Sequence, residues 1–439
     1  MINQNWWLTS VLDRRFPHCP PLDGDISCDV LIVGGGFSGV SAALELLGRG
    51  LDVVLIERNM LGGSSSGRSG GFLMPDSELE LNQLVARFGV TQAGDIWNAP
   101  TSGIQRLIER IKHYHVRCEL VAQDSLFLGV GRRGQDAVRA EGRAREQCGF
   151  DDHTIHDDAS LRSVVGAAGY SGALGYPGTY GVNPLACVQG FKKVLLADGM
   201  RVFEKSELLK LEGHTAHTSG GRVTAGQIIL AMDKVQRDVT PLADEIYQAQ
   251  TFMSVSERLS DRQVARLFPG GRALQCWDSR TVYTYFRLTA DQRLLVGGGT
   301  LISTFLRKAG DNPRIIGRVI RGFKRHFPWL EKLPFIQYWP GYIDTTRDFL
   351  PIIARVARRP YLQLILGVVG LPWAAFAGAY AARQAVGAPD EDDAKYARYF
   401  SGRRRFGVPA NVAKVIGKPL LFSLATGLAK VHSRGRRQV

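Results

Sequence analysis

The strongest constraint on the fold of this chain is the segment CDVLIVGGGFSGVSAALELLGRGLDVVLIE, residues 28–57. The run DVLIV is short, apolar and rich in β-branched residues, which predicts a buried strand of a parallel sheet. Gly34, Gly36 and Gly39 follow in the spacing GxGxxG, and a helical segment comes next. A second apolar strand ends at Glu57. This succession of strand, glycine turn, helix and strand predicts a Rossmann-like nucleotide-binding domain.

Each residue type in this unit has a physical task. Gly34 permits a tight turn, Gly36 lets a pyrophosphate approach the backbone, and Gly39 lets the helix pack close to the strand. The start of the helix offers free N–H groups and a positive dipole end to phosphates. Glu57, at the end of the second strand, is suited to accept hydrogen bonds from ribose hydroxyls.

A second segment of small residues, GGSSSGRSGG (62–71), follows soon after Glu57. It could be a solvated linker, or backbone wrapped around a bulky charged ligand. The GxGxxG motif alone does not separate FAD from NAD, but a flavin dinucleotide is longer and needs more small-residue backbone around it. We therefore favour FAD, contacted by the N–H groups and hydroxyls of this loop and by Arg68. Arg68 could instead be a surface charge.

Charge and cysteine usage limit the class of protein. The formal net charge is +14 over 439 residues, but residues 401–439 hold nine Lys and Arg and no acidic residue. The first 400 residues therefore carry only +5, which does not indicate nucleic-acid binding by the folded body. The six cysteines form no CxxC pair, and no His cluster has ligand spacing, so we expect no metal site and a reducing, cytoplasmic location.

Two segments raise the question of membranes. Residues 361–382 are long and apolar enough to span a bilayer, but Gly367, Gly370 and Pro372 interrupt them, and we favour a strand, a glycine turn and a helix that starts near Pro372. The tail, 391–439, contains a basic amphipathic segment that starts near Pro419. That segment is a candidate for peripheral contact with the inner face of an anionic membrane, or it packs on the protein's own surface.

The first 71 residues resemble the N-terminus of the D-amino acid oxidase/glycine oxidase superfamily of FAD-dependent amine oxidoreductases, and within it the gamma-glutamylputrescine oxidoreductase-like branch. The resemblance includes the pair Trp6–Trp7 and the loop ending GRSGG. It continues in TYGVNPLACVQGF, GQIILAMDK, TTRDFLPII and LGVVGLPWAAFAGAYAA, and so covers roughly residues 5–390. The chain departs from the family at Ser69 (usually Asn), Phe72 (usually Gln) and Met232-Asp233 (usually small residues).

The resemblance implies an α/β fold in which an FAD/NAD(P)-binding Rossmann-like domain is interleaved with an α+β substrate domain built on an antiparallel sheet. We assign 24–100, 182–240 and 340–390 to the FAD-binding domain. Residues 101–181 and 241–339 then form the substrate domain, in which 251–257, 281–289 and 293–300 are predicted strands.

The implied reaction is the oxidation of a C–N bond in a small amine or amino acid, by hydride transfer to flavin N5, to give an imine that hydrolyses. Leu294 and Leu295 stand where sarcosine oxidase-like relatives carry a lysine, so oxygen and a quinone both remain candidate electron acceptors. Two other readings stay open: an FAD-binding protein without turnover that serves as an assembly or scaffold factor, and an NAD(P)-dependent dehydrogenase.

The candidate site residues form two groups. Family members hold a substrate carboxylate with an arginine and cover the pocket with aromatic residues, and the candidates for these roles here are Tyr285, Arg287, Tyr342 and Trp373, together with Tyr283 and Arg347. The aromatic strand 283–287 could instead be a solvated or structural face. The predicted FAD-binding residues are Gly34, Gly36, Phe37, Ser38, Gly39, Glu57, Arg58, Ser65, Ser66, Gly67, Arg68, Ser69, Gly70, Gly71, Ala231, Gly370, Leu371 and Pro372.

Overall fold

The two strands predicted before the glycine turn and after the helix that follows it lie side by side and pair in parallel. The structure is a computed structural model, and it describes residues 1–75, 78–233, 235, 237–299 and 313–404. The strands are β1 (Ile2–Asn3), β2 (Ile26–Val33), β3 (Val53–Ile56), β4 (Phe72–Leu73), β5 (Val121–Ala122), β6 (Asp124–Leu128), β7 (Thr154–His156), β8 (Ala173–Tyr176), β9 (Tyr180–Gly181), β10 (Arg201–Phe203), β11 (Lys210–Glu212), β12 (Thr215–His217), β13 (Arg222–Leu230), β14 (Ile246–Arg258), β15 (Leu274–Asp278), β16 (Tyr285–Leu288), β17 (Arg293–Gly298), β18 (Phe335–Thr346), β19 (Ile352–Val356) and β20 (Arg359–Leu366).

The described part of the chain also contains eleven α-helices. They are α1 (Trp6–Thr9), α2 (Phe37–Leu46), α3 (Leu81–Phe88), α4 (Val90–His113), α5 (Gly131–Cys148), α6 (Asp158–Leu161), α7 (Pro184–Ala197), α8 (Asp261–Leu267), α9 (Pro313–His326), α10 (Leu371–Ala385) and α11 (Asp393–Tyr399). Short 3₁₀ turns occupy Ser66–Arg68, Pro241–Glu245 and Pro328–Leu330.

The first sheet carries the nucleotide-binding unit. Its strand order is β10-β3-β2-β13, all parallel; β20 then pairs with the C-terminal half of β13, and β12 with its N-terminal half. Val30 and Ile32 of β2 face the helices, whereas Leu31 and Val33 pack on the opposite side with strands β19 and β20. Because β2 is covered on both faces, its sequence is a continuous apolar run rather than an alternating one.

The second sheet has nine strands in the order β1-β18-β14-β17-β16-β15-β6-β8-β7. Most pairs are antiparallel, and β1 with β18 and β15 with β6 are parallel. Leu294 and Val296 of β17 lie in a core with Phe323 of α9, whereas Leu295 lies in the core on the other side. The interleaved α/β fold class predicted from the sequence is therefore confirmed, with a mixed rather than purely antiparallel second sheet.

Two of the predicted domain divisions fall inside an element, and one predicted strand is shorter than expected. The division at 101 falls inside α4, and the division at 340 falls inside β18. The strand predicted over 281–289 forms only at Tyr285–Leu288. The reason is local: the buried Asp278 carboxylate accepts hydrogen bonds from the backbone N–H groups of Arg280 and Thr284, which curls the intervening residues into a turn.

The apolar segment 361–382 forms the last part of β20, a glycine turn and most of α10, as the sequence indicates. Across the described part of the chain, no helix combines the length and the apolar character needed to cross a membrane. The beginning of the predicted tail belongs to the folded body, because Phe400 is fully buried and Arg404 pairs with the buried Asp348. The amphipathic segment predicted after Pro419 lies outside the described residues, and its membrane contact stays a prediction.

Candidate active site

A deep cleft lies between the two sheets. Gly34 and Ala231, at the ends of neighbouring strands of the first sheet, line one part of it. Thr251 and Tyr285 of the second sheet line another part. One continuous space thus joins the nucleotide-binding unit to the aromatic strand.

The glycine turn is built so closely that side chains are excluded from it. Gly34 has a φ of +108°, and a Cβ there would lie 2.4 Å from the backbone oxygen of Ala231. A Cβ on Gly39 would lie 1.8 Å from the Gly34 oxygen, so α2 can approach the strand only with glycine at this position. At Gly36 a Cβ would come within 3.0 Å of Ser66 Oγ. These close approaches are the geometry that a phosphate-binding turn needs.

Glu57 is held rigidly at the edge of the cleft. It is 8% exposed, its Oε2 accepts a 2.7 Å hydrogen bond from Gly35 N, and its Oε1 accepts one of 2.9 Å from Asn59 N. Each carboxylate oxygen has a second lone pair, so the group can still accept from a hydroxyl in the cleft. The geometry therefore suits contact with a ribose.

Two helix N-termini open into the same cleft. The first N–H group of α2, at Phe37, bonds to Ser66 Oγ at 2.9 Å, and its N-cap residue is a glycine. Helix α10 begins after Gly370, which has a φ of +92° and provides no side-chain cap. Because helix N-termini carry partial positive charge, both favour negative groups in the cleft.

The loop 62–71 is held in place by hydrogen bonds to its backbone, so it is not a solvated linker. The carbonyl oxygens of residues 67–70 accept side-chain hydrogen bonds of 2.7, 2.9, 2.7 and 2.8 Å from Asn5, Trp339, Trp7 and Arg287, in that order. None of these four donors lines the cleft. The loop is thus anchored from behind, which leaves its other side for a ligand. The linker alternative raised by the sequence is not supported.

Most of the predicted cofactor residues meet at the cleft wall. Gly39, Gly67 and Gly71 do not line it, and they allow close packing behind it: a Cβ on Gly67 would lie 2.1 Å from a backbone oxygen, and one on Gly71 likewise 2.1 Å. The predicted residues that do line the cleft are Gly34, Gly36, Phe37, Ser38, Glu57, Arg58, Ser65, Ser66, Arg68, Ser69, Gly70, Ala231, Gly370, Leu371 and Pro372.

Arg287 is not placed to bind a substrate carboxylate, contrary to the prediction. It is 2% exposed and lies outside the cleft wall. Its Nε, Nη1 and Nη2 donate to the carbonyl oxygens of Gly70, Leu288 and Val182 at 2.8, 2.9 and 2.6 Å. Burial lowers the pKa of Arg287 to about 9, so the guanidinium stays protonated at neutral pH. The prediction from side-chain alternation along β16 was that Arg287 shares a face with Tyr285. The 67–71 loop covers that face at Arg287, so the guanidinium does not reach the cleft.

Two further candidates also lie away from the cleft. The Trp373 ring is 3% exposed and packs edge-on against Phe376 and Phe400 in the helical core. Arg347 is buried and forms an ion pair with Glu245. These two predictions are corrected, because in both cases packing or pairing turns the side chain away from the cleft.

The tyrosines are placed as predicted, at the cleft. Tyr285 meets Phe72 edge-on with ring centres 5.6 Å apart, and it lies 5.7 Å from Tyr283. Burial raises the pKa of Tyr285 to about 12, against a smaller opposing effect of its hydrogen bond with Thr251. Tyr342 accepts a 3.4 Å hydrogen bond from Gln250. This end of the cleft is thus walled by aromatic rings, and the phenol of Tyr285 stays neutral at physiological pH.

Sequence reasoning missed several residues of the wall. Thr251 and Met253 line the cleft at alternate positions of β14, and that alternation was available as a signal. Asp233, next to Met232, accepts a 2.6 Å hydrogen bond from Ser65. Glu78 lies between β4 and α3, where no periodic pattern marks it. Within the described ranges, no group of three or more His, Cys, Asp or Glu is arranged to hold a metal ion.

Known proteins share both the sequence and the fold. Residues 29–384 match the family described as DAO, FAD dependent oxidoreductase. A gamma-glutamylputrescine oxidoreductase of Escherichia coli (strain K12) is 28% identical over 356 residues, which cover 79% of this chain and 81% of the relative. The solved glycine oxidase of Geobacillus kaustophilus superposes with a TM-score of 0.74 at 18% identity, covering 87% of this chain and 100% of that one.

A second solved structure, the L-proline dehydrogenase of P. horikoshii, superposes with a TM-score of 0.71 at 15% identity, over 88% of this chain and 98% of that one. These two structures show the fold, and the family match shows the cofactor class. The cleft fits that cofactor, since its glycine turn, two helix N-termini and fastened loop form a cradle for a dinucleotide. The predicted FAD cofactor is confirmed, and the chain belongs to the DAO family of FAD-dependent oxidoreductases.

Proposed function

We propose that the protein oxidises the C–N bond of a small amine or amino acid. The observation that carries this proposal is the single cleft that joins the FAD cradle to the aromatic wall of the second sheet. The relatives named as a gamma-glutamylputrescine oxidoreductase, a glycine oxidase and an L-proline dehydrogenase support an amine or amino acid as the substrate class.

The chain would hold the cofactor with four features. The glycine turn and the start of α2 would hold the diphosphate, Glu57 would hold a ribose, and residues 68–70 would contact the remainder of the cofactor. When bound, FAD supplies a two-electron acceptor for the hydride that leaves the α-carbon of the substrate. The N-terminus of α10 would favour the negative charge that FAD gains when it is reduced.

The aromatic residues at the other end of the cleft would position the substrate. Phe72, Tyr283 and Tyr285 provide a largely apolar aromatic wall with two phenol hydroxyls, which suits a deprotonated amine next to a C–H bond. The ammonium form of the amine first loses a proton to water, hydride loss then gives an iminium ion, and water hydrolyses that ion, so we assign no acid or base of the chain a role. The electron acceptor of the second half-reaction is oxygen or a quinone.

Anaerobic spectroscopy of the purified holoprotein tests the proposal. Amines and amino acids are added one by one while the visible flavin absorbance is followed, and oxygen or a quinone is then admitted. The proposal predicts that at least one class bleaches the flavin and that an aldehyde or ketone appears in the same amount as ammonia, or as the released amine when the substrate is a secondary amine. A flavin that stays oxidised against the whole panel overturns it and favours an FAD-binding protein without turnover.

A further inference from the structure

The cleft ends at one row of residues on the second sheet. Met253 of β14 and Tyr285 of β16 both stand directly opposite Gly297, which lies on β17 between them. Directly opposite residues of neighbouring strands belong to the same face of a sheet. Because Met253 and Tyr285 line the cleft, this face is the one that a substrate meets. We call these three residues the Met253 row.

The next row on the same face is closed. It consists of Val255, Leu295 and Arg287, which are buried and lie outside the cleft wall. The FAD loop covers this row, because Arg287 donates a 2.8 Å hydrogen bond to the Gly70 oxygen. In the opposite direction along β14, Thr251 lines the cleft. A substrate that lies along this face therefore reaches the Met253 row and goes no further.

The side chain of Met253 fills the space between its row and the FAD loop. It is only 2% exposed. Its sulfur lies over Gly297, where an added Cβ would be 2.3 Å from Sδ. Its methyl carbon lies near Gly70, where an added Cβ would be 3.6 Å from Cε. The thioether thus extends from β17 to the FAD loop and forms the end wall of the cleft. Because methionine is unbranched and flexible, it fills such an irregular gap well.

Gly297 leaves the room in which Met253 and Tyr285 lie. A Cβ at this position would come within 2.3 Å of both the thioether sulfur and the Tyr285 ring. The φ of Gly297 lies outside the left-handed region, so close contact rather than backbone strain requires glycine here. Tyr285 is fixed by its edge-on contact with Phe72, whose ring centre is 5.6 Å away. An added methyl group would therefore displace the flexible Met253 side chain into the cleft.

We propose that Met253 is a specificity-determining residue at the end of the substrate pocket, and that Met253 and Gly297 together set the length of the carbon chain that an amine substrate can carry. The inference rests on the proposed function. The thioether and the Tyr285 ring are apolar surfaces, so the part of the substrate that meets them is hydrocarbon. A chain that is too long for the pocket must leave its last carbons in water.

A series of n-alkylamines of increasing length tests this inference. Their dissociation constants for the oxidised holoprotein are read from the shift of the flavin spectrum, and anaerobic bleaching is followed in the same samples. We expect each added methylene to tighten binding about four-fold until the chain reaches Met253, and to add nothing beyond that length. A series without such a break, or a protein that binds no member of the series, overturns the inference.

Two substitutions should move the break in opposite directions. Met253→Ala removes the three heavy atoms that form the end wall, so the break should move to a chain roughly two carbons longer, and that longer amine should bind at least about ten-fold more tightly than it binds the unaltered protein. Gly297→Ala should move the break to a shorter chain. Met200→Ala makes the same chemical change as Met253→Ala in the buried core outside the cleft wall, and should leave the break in place.

The visible flavin spectrum and urea unfolding show whether each variant is folded and holds FAD. An unchanged break in Met253→Ala, or an equal displacement in Met200→Ala, overturns the inference. If Met253→Ala does not retain FAD, Gly297→Ala decides, and an unchanged break in that variant overturns the inference. A break that moves as expected without bleaching by any amine would refute the proposed function and leave Met253 as the end of the pocket.

Discussion

The indole of Trp7 supports the FAD loop from the N-terminal segment, which makes Trp7→Phe an informative substitution. Trp7 is 1% exposed, and its Nε1 donates a 2.7 Å hydrogen bond to the Ser69 oxygen. It also meets Trp339 edge-on, with ring centres 6.4 Å apart. Phenylalanine keeps an aromatic ring at this place and removes the donor, so the Ser69 carbonyl loses its partner.

The loss can be estimated from these contacts. A buried acceptor left without its hydrogen bond costs about 1–3 kcal/mol. The smaller ring leaves unfilled space, which adds about 1 kcal/mol. Because the carbonyl belongs to the loop that contacts FAD, we expect the hydrogen-bond part of this cost to appear in cofactor binding. At 1.4 kcal/mol per factor of ten, the dissociation constant of FAD should rise roughly 5- to 100-fold.

The assay is titration of the apoprotein with FAD, followed by the quenching of flavin fluorescence, together with urea unfolding. Trp6→Phe is a matched control, because the ring of Trp6 contacts Arg293, with the guanidinium carbon 4.6 Å from the ring centre, whereas the hydrogen bond to Ser69 comes from Trp7. We expect Trp6→Phe to keep FAD affinity within two-fold. Equal affinity of Trp7→Phe and the unaltered protein, or an equal loss in both variants, would refute the claim that the indole holds the loop.

Three other substitutions probe separate parts of the account. Arg287→Lys keeps the charge, but its single ammonium nitrogen cannot reach the three carbonyls that three guanidinium nitrogens contact, so FAD affinity should fall about ten-fold. KM values for substrates with and without a carboxylate should change by the same factor, and a selective loss for carboxylates would restore a substrate-binding role. Arg68→Ala should lower flavin occupancy of the purified protein, measured as the ratio of flavin to protein absorbance, and unchanged occupancy together with an unchanged flavin potential would return this arginine to a surface role. Burial alone would raise the pKa of Asp348, but the hydrogen bonds and charge of Arg404 outweigh burial and lower that pKa. The Asp348 carboxylate therefore stabilises the fold above about pH 4, and this contribution is lost as the pH falls through the lowered pKa. Asp348→Asn should cost about 3 kcal/mol of unfolding free energy at pH 7 and progressively less below pH 4, and a cost that is independent of pH would contradict the ion pair.

Features that depend on neighbouring residues were predictable from the sequence. The Rossmann-like unit follows from a pattern within 28–57, and Gly34 and Gly39 have the close backbone approaches that the pattern implies. The strand, glycine turn and helix around Pro372 follow in the same way, because glycine and proline mark the ends of elements directly. In both places the information that sets the structure lies within a few residues.

Features that depend on distant contacts were not predictable. Arg287 lies on the expected face of its strand, yet its role is decided by Gly70, which is 217 residues away in the chain. The donors that fasten the loop include Trp7, 62 residues before Ser69, and no local pattern links the two. Glu78 likewise reaches the cleft through the path of an irregular segment. Side-chain alternation gives a face, but only the packed structure tells which part of that face is covered.

The most direct test of the central claim is the rate of anaerobic flavin reduction, at saturating concentration, by a substrate amine and by its α-deuterated form. Cleavage of the α-C–H bond at the aromatic end of the cleft predicts that the deuterated amine bleaches the flavin several-fold more slowly, while its dissociation constant stays the same. Equal rates for the two forms, or no bleaching by either, would contradict the assignment of this cleft to amine oxidation.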